Sequence, residues 1–285
     1  MIRGPAEAMP GVLTIAHLTW LEARRRRIVL AALVCGLAFL AVFAIAVYFI
    51  NRNAGFGAQG LLQRRFQLQF LTIAGLYAVN FLVVALAVML PVDTLSGEIA
   101  SGVMQTLASK PIRRADIVLG KWLVHGLMNA GYIVIMAGGV VLVMRLVTGF
   151  VQNHLPAAFA LMLLEATVLL SVVIAGGVRF STVTNGIVAF ALYGLAFVGG
   201  WIEQIGVMVG NASARYIGTA ISLVSPADAL WRLAIHELQP PVMQQVVLGP
   251  LSAASVPSAA MVWWSVVFIV GVLALALQGF GKRAL

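Results

Sequence analysis

Six long apolar stretches, at residues 28–50, 68–90, 117–147, 157–180, 183–209 and 259–279, alternate with polar segments along this chain. A membrane crossing needs roughly 20 apolar residues, so each stretch predicts one spanning helix. The first, at a rise of about 1.5 Å per residue, reaches about 35 Å and crosses with some tilt. Pro91 closes the second. The third is the longest and predicts a strong tilt or an extension into the cytoplasm, whereas only a tight polar turn separates the fourth from the fifth. Six crossings place both termini on one side.

Composition agrees with that pattern. With 62% hydrophobic and 9% charged residues among 285, and a mean hydropathy of +1.03, the chain is too apolar for a water-soluble globule. The expected fold is all-α and polytopic: one transmembrane domain over 1–285, with cytoplasmic segments at 1–27 and 92–116 and an extracytoplasmic segment at 210–258 that holds short helices. The net charge of +9 gathers beside the apolar stretches, in the arginines at 24–27, Lys110, Arg113, Arg114, Lys121, Lys282 and Arg283. Membrane orientation, not nucleic-acid binding, accounts for such flanking charge. It predicts cytoplasmic termini in an inner (cytoplasmic) membrane, with lipids around the spans. Arg52, Arg64, Arg65, Arg145, Arg215 and Arg232 fall on the other face, and the Arg64/Arg65 pair is the main discordance. The first stretch is longer than a cleaved export signal needs and is expected to be retained. Cys35 is the single cysteine, which excludes an intrachain disulfide or a cysteine metal site.

The internal charge concentrates in residues 93–121, DTLSGEIASGVMQTLASKPIRRADIVLGK. Ile99, Val103 and Leu107 recur every fourth residue and predict one apolar stripe on a short helix, with Glu98 near its positive end. Pro111 stops that helix, and Arg113 and Arg114 precede Asp116 in the first turn of the next. Three readings fit a helix, a break and a helix: a connecting loop, a stripe lying on the bilayer, and a docking element for a soluble partner. Residues 12–22 predict a further short interfacial helix of weak amphipathicity.

Glu98 to Gly102, Leu107, Ser109, Pro111, Arg113/Arg114, Leu119, Gly120 and Lys121 resemble the cytoplasmic signature of ABC-2-type transporter permeases. Val103 departs from the Thr or Ser common at that position. The resemblance implies a six-span permease subunit of an ABC exporter. Such a subunit carries no ATPase, pairs with a second permease copy (a homodimer, or a related permease) and docks two copies of an ATP-binding subunit. Docking would use Glu98, Ile99, Gly102, Val103, Leu107, Pro111, Arg113 and Arg114. ATP and Mg would belong to that partner, and this chain would bind no cofactor and no metal. Consistently, no GxxxxGK(S/T) phosphate loop occurs, and GEIASGV from Gly97 lacks the lysine. The turn at 181–185 with Arg179 resembles the family's second inner loop, or is an ordinary positive-inside turn. The alternative reading is a non-transporting membrane anchor or regulatory subunit that docks a soluble partner through 93–121. Four scattered histidines and nine acidic residues offer no catalytic constellation.

Within the spans Glu165 is the costly residue, at roughly 2.5–3.5 kcal/mol if ionised and facing lipid. It is therefore expected to face the interior or to be protonated. Tyr77, Asn80, Asn129 and Tyr132 would join it along a polar substrate path, or would each make an interhelical hydrogen bond. Gly206 and Gly210 form a GxxxG pair that permits a dimer face. Methionines 128, 136 and 144 predict core packing. In the outer segment Ser225, Pro226 and Asp228 predict a helix start, after which Trp231, Leu233, Ile235 and Leu238 would rest on the membrane interface. His236 and Glu237 are followed by Pro240 where a zinc-protease motif needs its second histidine.

Overall fold

A computed structural model describes residues 11–53, 60–104, 113–240 and 255–282. Its helices are α1 (Gly11–Ala23), α2 (Arg27–Asn53), α3 (Leu61–Met89), α4 (Ser96–Ala100), α5 (Arg114–Thr148), α6 (Leu155–Gly177), α7 (Thr182–Val209), α8 (Ala212–Val224), α9 (Ala227–Leu238) and α10 (Ala260–Lys282). No strand occurs among the described residues. Six helices, α2, α3, α5, α6, α7 and α10, are long and apolar enough to cross a membrane, in register with the six apolar stretches.

Local chemistry sets the helix ends. Ser181 caps α7 by accepting from the Thr184 amide at 3.4 Å, and Asn211 caps α8 by accepting from the Ala214 amide at 3.1 Å. Gly149 and Gly210 end α5 and α7 in the left-handed conformation, at φ 71° and 73°. The 35 residues of α5 span about 52 Å, against a hydrocarbon core of about 30 Å. One end must therefore project, and its first turns meet α1 and the α4 segment.

The spans are buried unequally. Along its apolar stretch 61% of α3 is buried, against 11% of α2 and 17% of α10, so α3 is central and the other two are peripheral. Val79, Val83 and Ala87 of α3 pack with Ile133, Met136 and Val140 of α5 and Met162, Ala166 and Leu169 of α6. Met136 and Met144 are closed off in this core, and Met128 packs against its edge. The outer faces of α2, α7 and α10 expose Leu37, Ile45, Ile187, Phe190, Trp263 and Val270, as lipid-facing surfaces do.

Two expectations for the outer segment are corrected. Helix α9 does not rest on the interface: Trp231, Ile235 and Leu238 are buried in the main core, packed on α6. The Trp231 ring meets Tyr77 of α3 edge to face at 4.9 Å, and the Leu238 carbonyl accepts from Gln69 at 2.9 Å and from Gln152. An aromatic stripe buries as well against protein as against lipid, and these bonds decide for protein. The helix also begins one residue later than expected, with Pro226 as its N-cap and no side-chain cap from Ser225. The Gly206/Gly210 pair is used within the chain. A Cβ on Gly206 would lie 2.9 Å from the Arg215 backbone nitrogen, so this glycine admits the close return of α8 along α7, and Gly210 is the cap.

A buried charge cluster ties this outer layer together. Arg232 donates to Asp228 at 2.9 Å, to Glu203 of α7 at 3.0 Å and to Ser222 of α8 at 3.3 Å, while Ser255 donates to Glu203 at 2.6 Å. Burial pushes the Asp228 carboxyl up from 3.8 to about 7; Arg232 opposes the shift and Glu203 adds to it. The folded protein thus holds this proton more tightly than the unfolded chain. The resulting stabilisation is full below the ordinary value of 3.8 and is lost as pH rises toward 7. In thermal unfolding of the purified protein, Asp228→Asn should remove this part of the decline across that window, and parallel pH profiles for variant and wild type would refute it.

Candidate functional site

The polar segment after α3 is short, kinked and held from several sides. Leu90 and Leu95 are fully buried and anchor it, and α4 spans only five residues. The continuous stripe expected over Ile99, Val103 and Leu107 is interrupted, because Gly102 takes φ +75° and turns the chain after Ser101. Glycine adopts that conformation freely, whereas a residue with a Cβ is penalised by about 1–2 kcal/mol. Helical geometry resumes at Val103, which is 49% exposed, beside the fully buried Met104. Leu107 and Pro111 lie outside the described residues.

Two ion pairs clamp the segment. Glu98 does not project freely: its carboxylate accepts from Lys121 of α5, which is only 3% exposed and also donates to the Thr94 carbonyl at 3.2 Å. Arg26, at the start of α2, donates to Asp93 and, at 2.6 Å, to Glu22 of α1. Burial works against the Arg26 charge, but the bonds to Glu22 and Asp93 outweigh it and raise its pKa.

Uncharged contacts complete the clamp. Ser96 and Thr182, at the start of α7, lie 2.9 Å apart through their hydroxyls, and Asn185 donates to the carbonyls of Val92 at 3.2 Å and Val173 at 2.9 Å. The turn before α7 is therefore built into the platform. His125 places Nδ1 at 2.7 Å from the Lys121 carbonyl, where it must donate; Nε2 is then the acceptor facing the Thr94 hydroxyl at 3.4 Å.

The remaining predicted docking residues divide between surface and scaffold. Arg113 is exposed at the N-cap of α5. Arg114 turns away to the Phe280 and Gly281 carbonyls, at 3.2 and 3.1 Å, and caps α10. Ile99 is half-buried. Helix α1, expected as a short interfacial helix, packs on α5 through Ile15, Ala16 and Thr19, and a Cβ on Gly120 would lie 2.9 Å from Ile15. Its weak amphipathicity has a plain cause: one apolar side meets protein, and Leu13, Leu18 and Leu21 are exposed on the others.

The five residues of the predicted polar path are not assembled into one group. Asn80 donates to Glu165 at 3.2 Å, both buried where α3 meets α6. The other Glu165 oxygen, Asn80 Oδ1 and both polar atoms of the Asn129 side chain have no partner. Tyr132 donates to the Ala32 carbonyl at 3.0 Å and joins α5 to α2, whereas Tyr77 faces α9. Sequence reasoning missed Arg26, Asp93 and Asn185 as clamp residues, and the Arg232 cluster. A lysine inside an apolar helix was the available signal, since it demands a carboxylate nearby. Among the described residues no three of His, Cys, Asp and Glu gather as a metal site.

Residues 93–104 are thus tied at once to the α1–α2 junction, to α5 and to α7. Glu98→Ala should leave Lys121 buried without its countercharge and cost about 3–5 kcal/mol, measured as lost monodisperse protein in detergent. Glu98→Gln with Lys121→Met should recover most of it; equal loss in single and double variants would show that the pair is not the cause.

The family model for "ABC-2 family transporter protein" matches residues 13–285, nearly the whole chain. No curated protein matches it. Six spans of suitable length and a clamped polar segment after the second are what that match covers. The chain belongs to the ABC-2 transporter family and is a multi-pass membrane permease component of an ABC transporter.

Proposed function

We propose that this permease docks a separate ATP-binding subunit through residues 93–121, and that two permease copies with two ATPases form an exporter in the cytoplasmic membrane. Both termini lie inside, where the basic flanks at 24–27, 113–114 and 282–283 belong. ATP and Mg are bound by the partner, and closure of the two ATPases is delivered to the spans as rigid movement of the clamped segment.

One observation carries the docking surface: Val103 is presented to solvent directly beside Met104, which is sealed in the core, on a piece of chain fixed by Lys121 and Arg26. An apolar knob on a rigid base is what a soluble partner can grip. Val103→Asp should abolish copurification of the ATP-binding subunit from native membranes while the permease itself is recovered in normal amount. Undiminished recovery of the ATPase would overturn this docking site.

In this reading the buried Asn80, Glu165 and Asn129 line the polar route for cargo, and Tyr77 and Tyr132, turned to α9 and α2, are left out of it. The unpartnered atoms on the first three support this, since a sealed structural group would have satisfied them. Glu165→Gln should alter cargo-stimulated ATPase activity in the reconstituted complex without loss of assembly. Collapse of assembly would mark the carboxyl as purely structural.

A further inference from the structure

At the end of the bundle opposite α4, a cavity of about 660 Å³ opens between the start of α3, the loop after α5 and the end of α9. Its wall includes Arg64 and Arg65, the pair that breaks the positive-inside pattern and that topology does not require. The pair needs a local reason. Arg64 is held toward the α5 end, because Asn51 donates to the Val147 carbonyl at 3.1 Å and accepts weakly from Arg64 at 3.5 Å. Arg65 is exposed and has no acidic partner among the described residues.

The rest of the wall is amide-rich and firmly built. Gln69 and Gln152, both buried, donate to the same Leu238 carbonyl, which fixes their nitrogen ends and leaves Gln152 Oε1 without a partner. Glu237 is the one carboxylate among the described residues of the lining, and it lies 3.9 Å from His154. Residues 54–59 and 241–254, adjacent in sequence to these walls, contain no charged residue. Among the described residues of the lining two arginines thus stand against one carboxylate, a surplus of positive charge.

We propose that this cavity binds an anionic phosphate group, the headgroup of a membrane lipid or a soluble phosphoester, with Arg64 and Arg65 as the phosphate ligands. Guanidinium forks match phosphate oxygens in pairs. The site lies where α3, α5 and α6 leave the apolar layer, the level at which lipid phosphates are found. It is independent of the ATPase-docking reading, being on the opposite face.

Purified full-length permease in detergent is exposed to dioctanoyl phosphatidylglycerol, to dioctanoylglycerol with the same tails and no phosphate, and to glycerol 3-phosphate, with binding read by native mass spectrometry. The wild type should retain a phosphate-bearing probe over dioctanoylglycerol. Arg64→Gln with Arg65→Gln should weaken that binding on the order of tenfold or more, and Arg64→Lys with Arg65→Lys much less. Arg65→Gln alone, at an exposed unpaired position, supplies the same comparison without risk to the fold. Retention of phosphatidylglycerol alone identifies a lipid site, and retention of glycerol 3-phosphate a soluble phosphoester; both require loss in the Gln variants. Equal binding of dioctanoylglycerol, or full retention by the Gln variants, overturns the proposal.

Discussion

A lysine sealed from water two turns into a membrane helix has to be answered by a carboxylate, and the half of this protein that holds α4 is arranged around that answer. Lys121 draws Glu98 and the Thr94 carbonyl to the side of α5. The segment after α3 is thereby folded back against the bundle and cannot project as a free loop. Isolated buried charges are among the most expensive features a fold can carry, so the pair fixes position more than it adds stability. Once it is in place, Arg26 and Asp93, Ser96 and Thr182, and Asn185 and Val92 fall within reach of one another. The exposed Val103 then sits on a base held from several sides.

The opposite end obeys the same rule with different chemistry. There Arg232 serves two carboxylates and two serines, and draws α7, α8, α9 and the approach to α10 into one layer. Both ends of the bundle are therefore fastened by buried charge, while the middle relies on close-packed aliphatic side chains. In that middle zone the Asn80–Glu165 bond and the Tyr132 bond to the Ala32 carbonyl link one span to another.

The spans were legible because each is a local property: some twenty residues of the right hydropathy suffice, whatever the neighbours do. The clamps were not, because Arg26 and Asp93 are 67 residues apart, Lys121 and Glu98 23, and Ser96 and Thr182 86. Nothing in the residue types chooses among such partners. Helix α9 was misplaced because an aromatic and aliphatic face carries the same pattern whether protein or lipid covers it. The Ile99, Val103 and Leu107 spacing suggested one helix, and Gly102 lay inside it as the residue able to break it. Glu98 was singled out as a contact for another protein, and the pairing of its carboxylate with Lys121 was not foreseen.

The order of these fasteners along the chain has a consequence for synthesis. A growing chain delivers Arg26 first, then Asp93 and Glu98, then Lys121, and only later Thr182 and Asn185. The acidic partners are thus already waiting at the membrane surface when the lysine arrives, and its insertion is never left uncompensated. The last fasteners come with α7, after four spans have been made. A nascent chain released before that point therefore has these two ion pairs available but lacks the contacts that α7 makes to Ser96 and to the Val92 carbonyl.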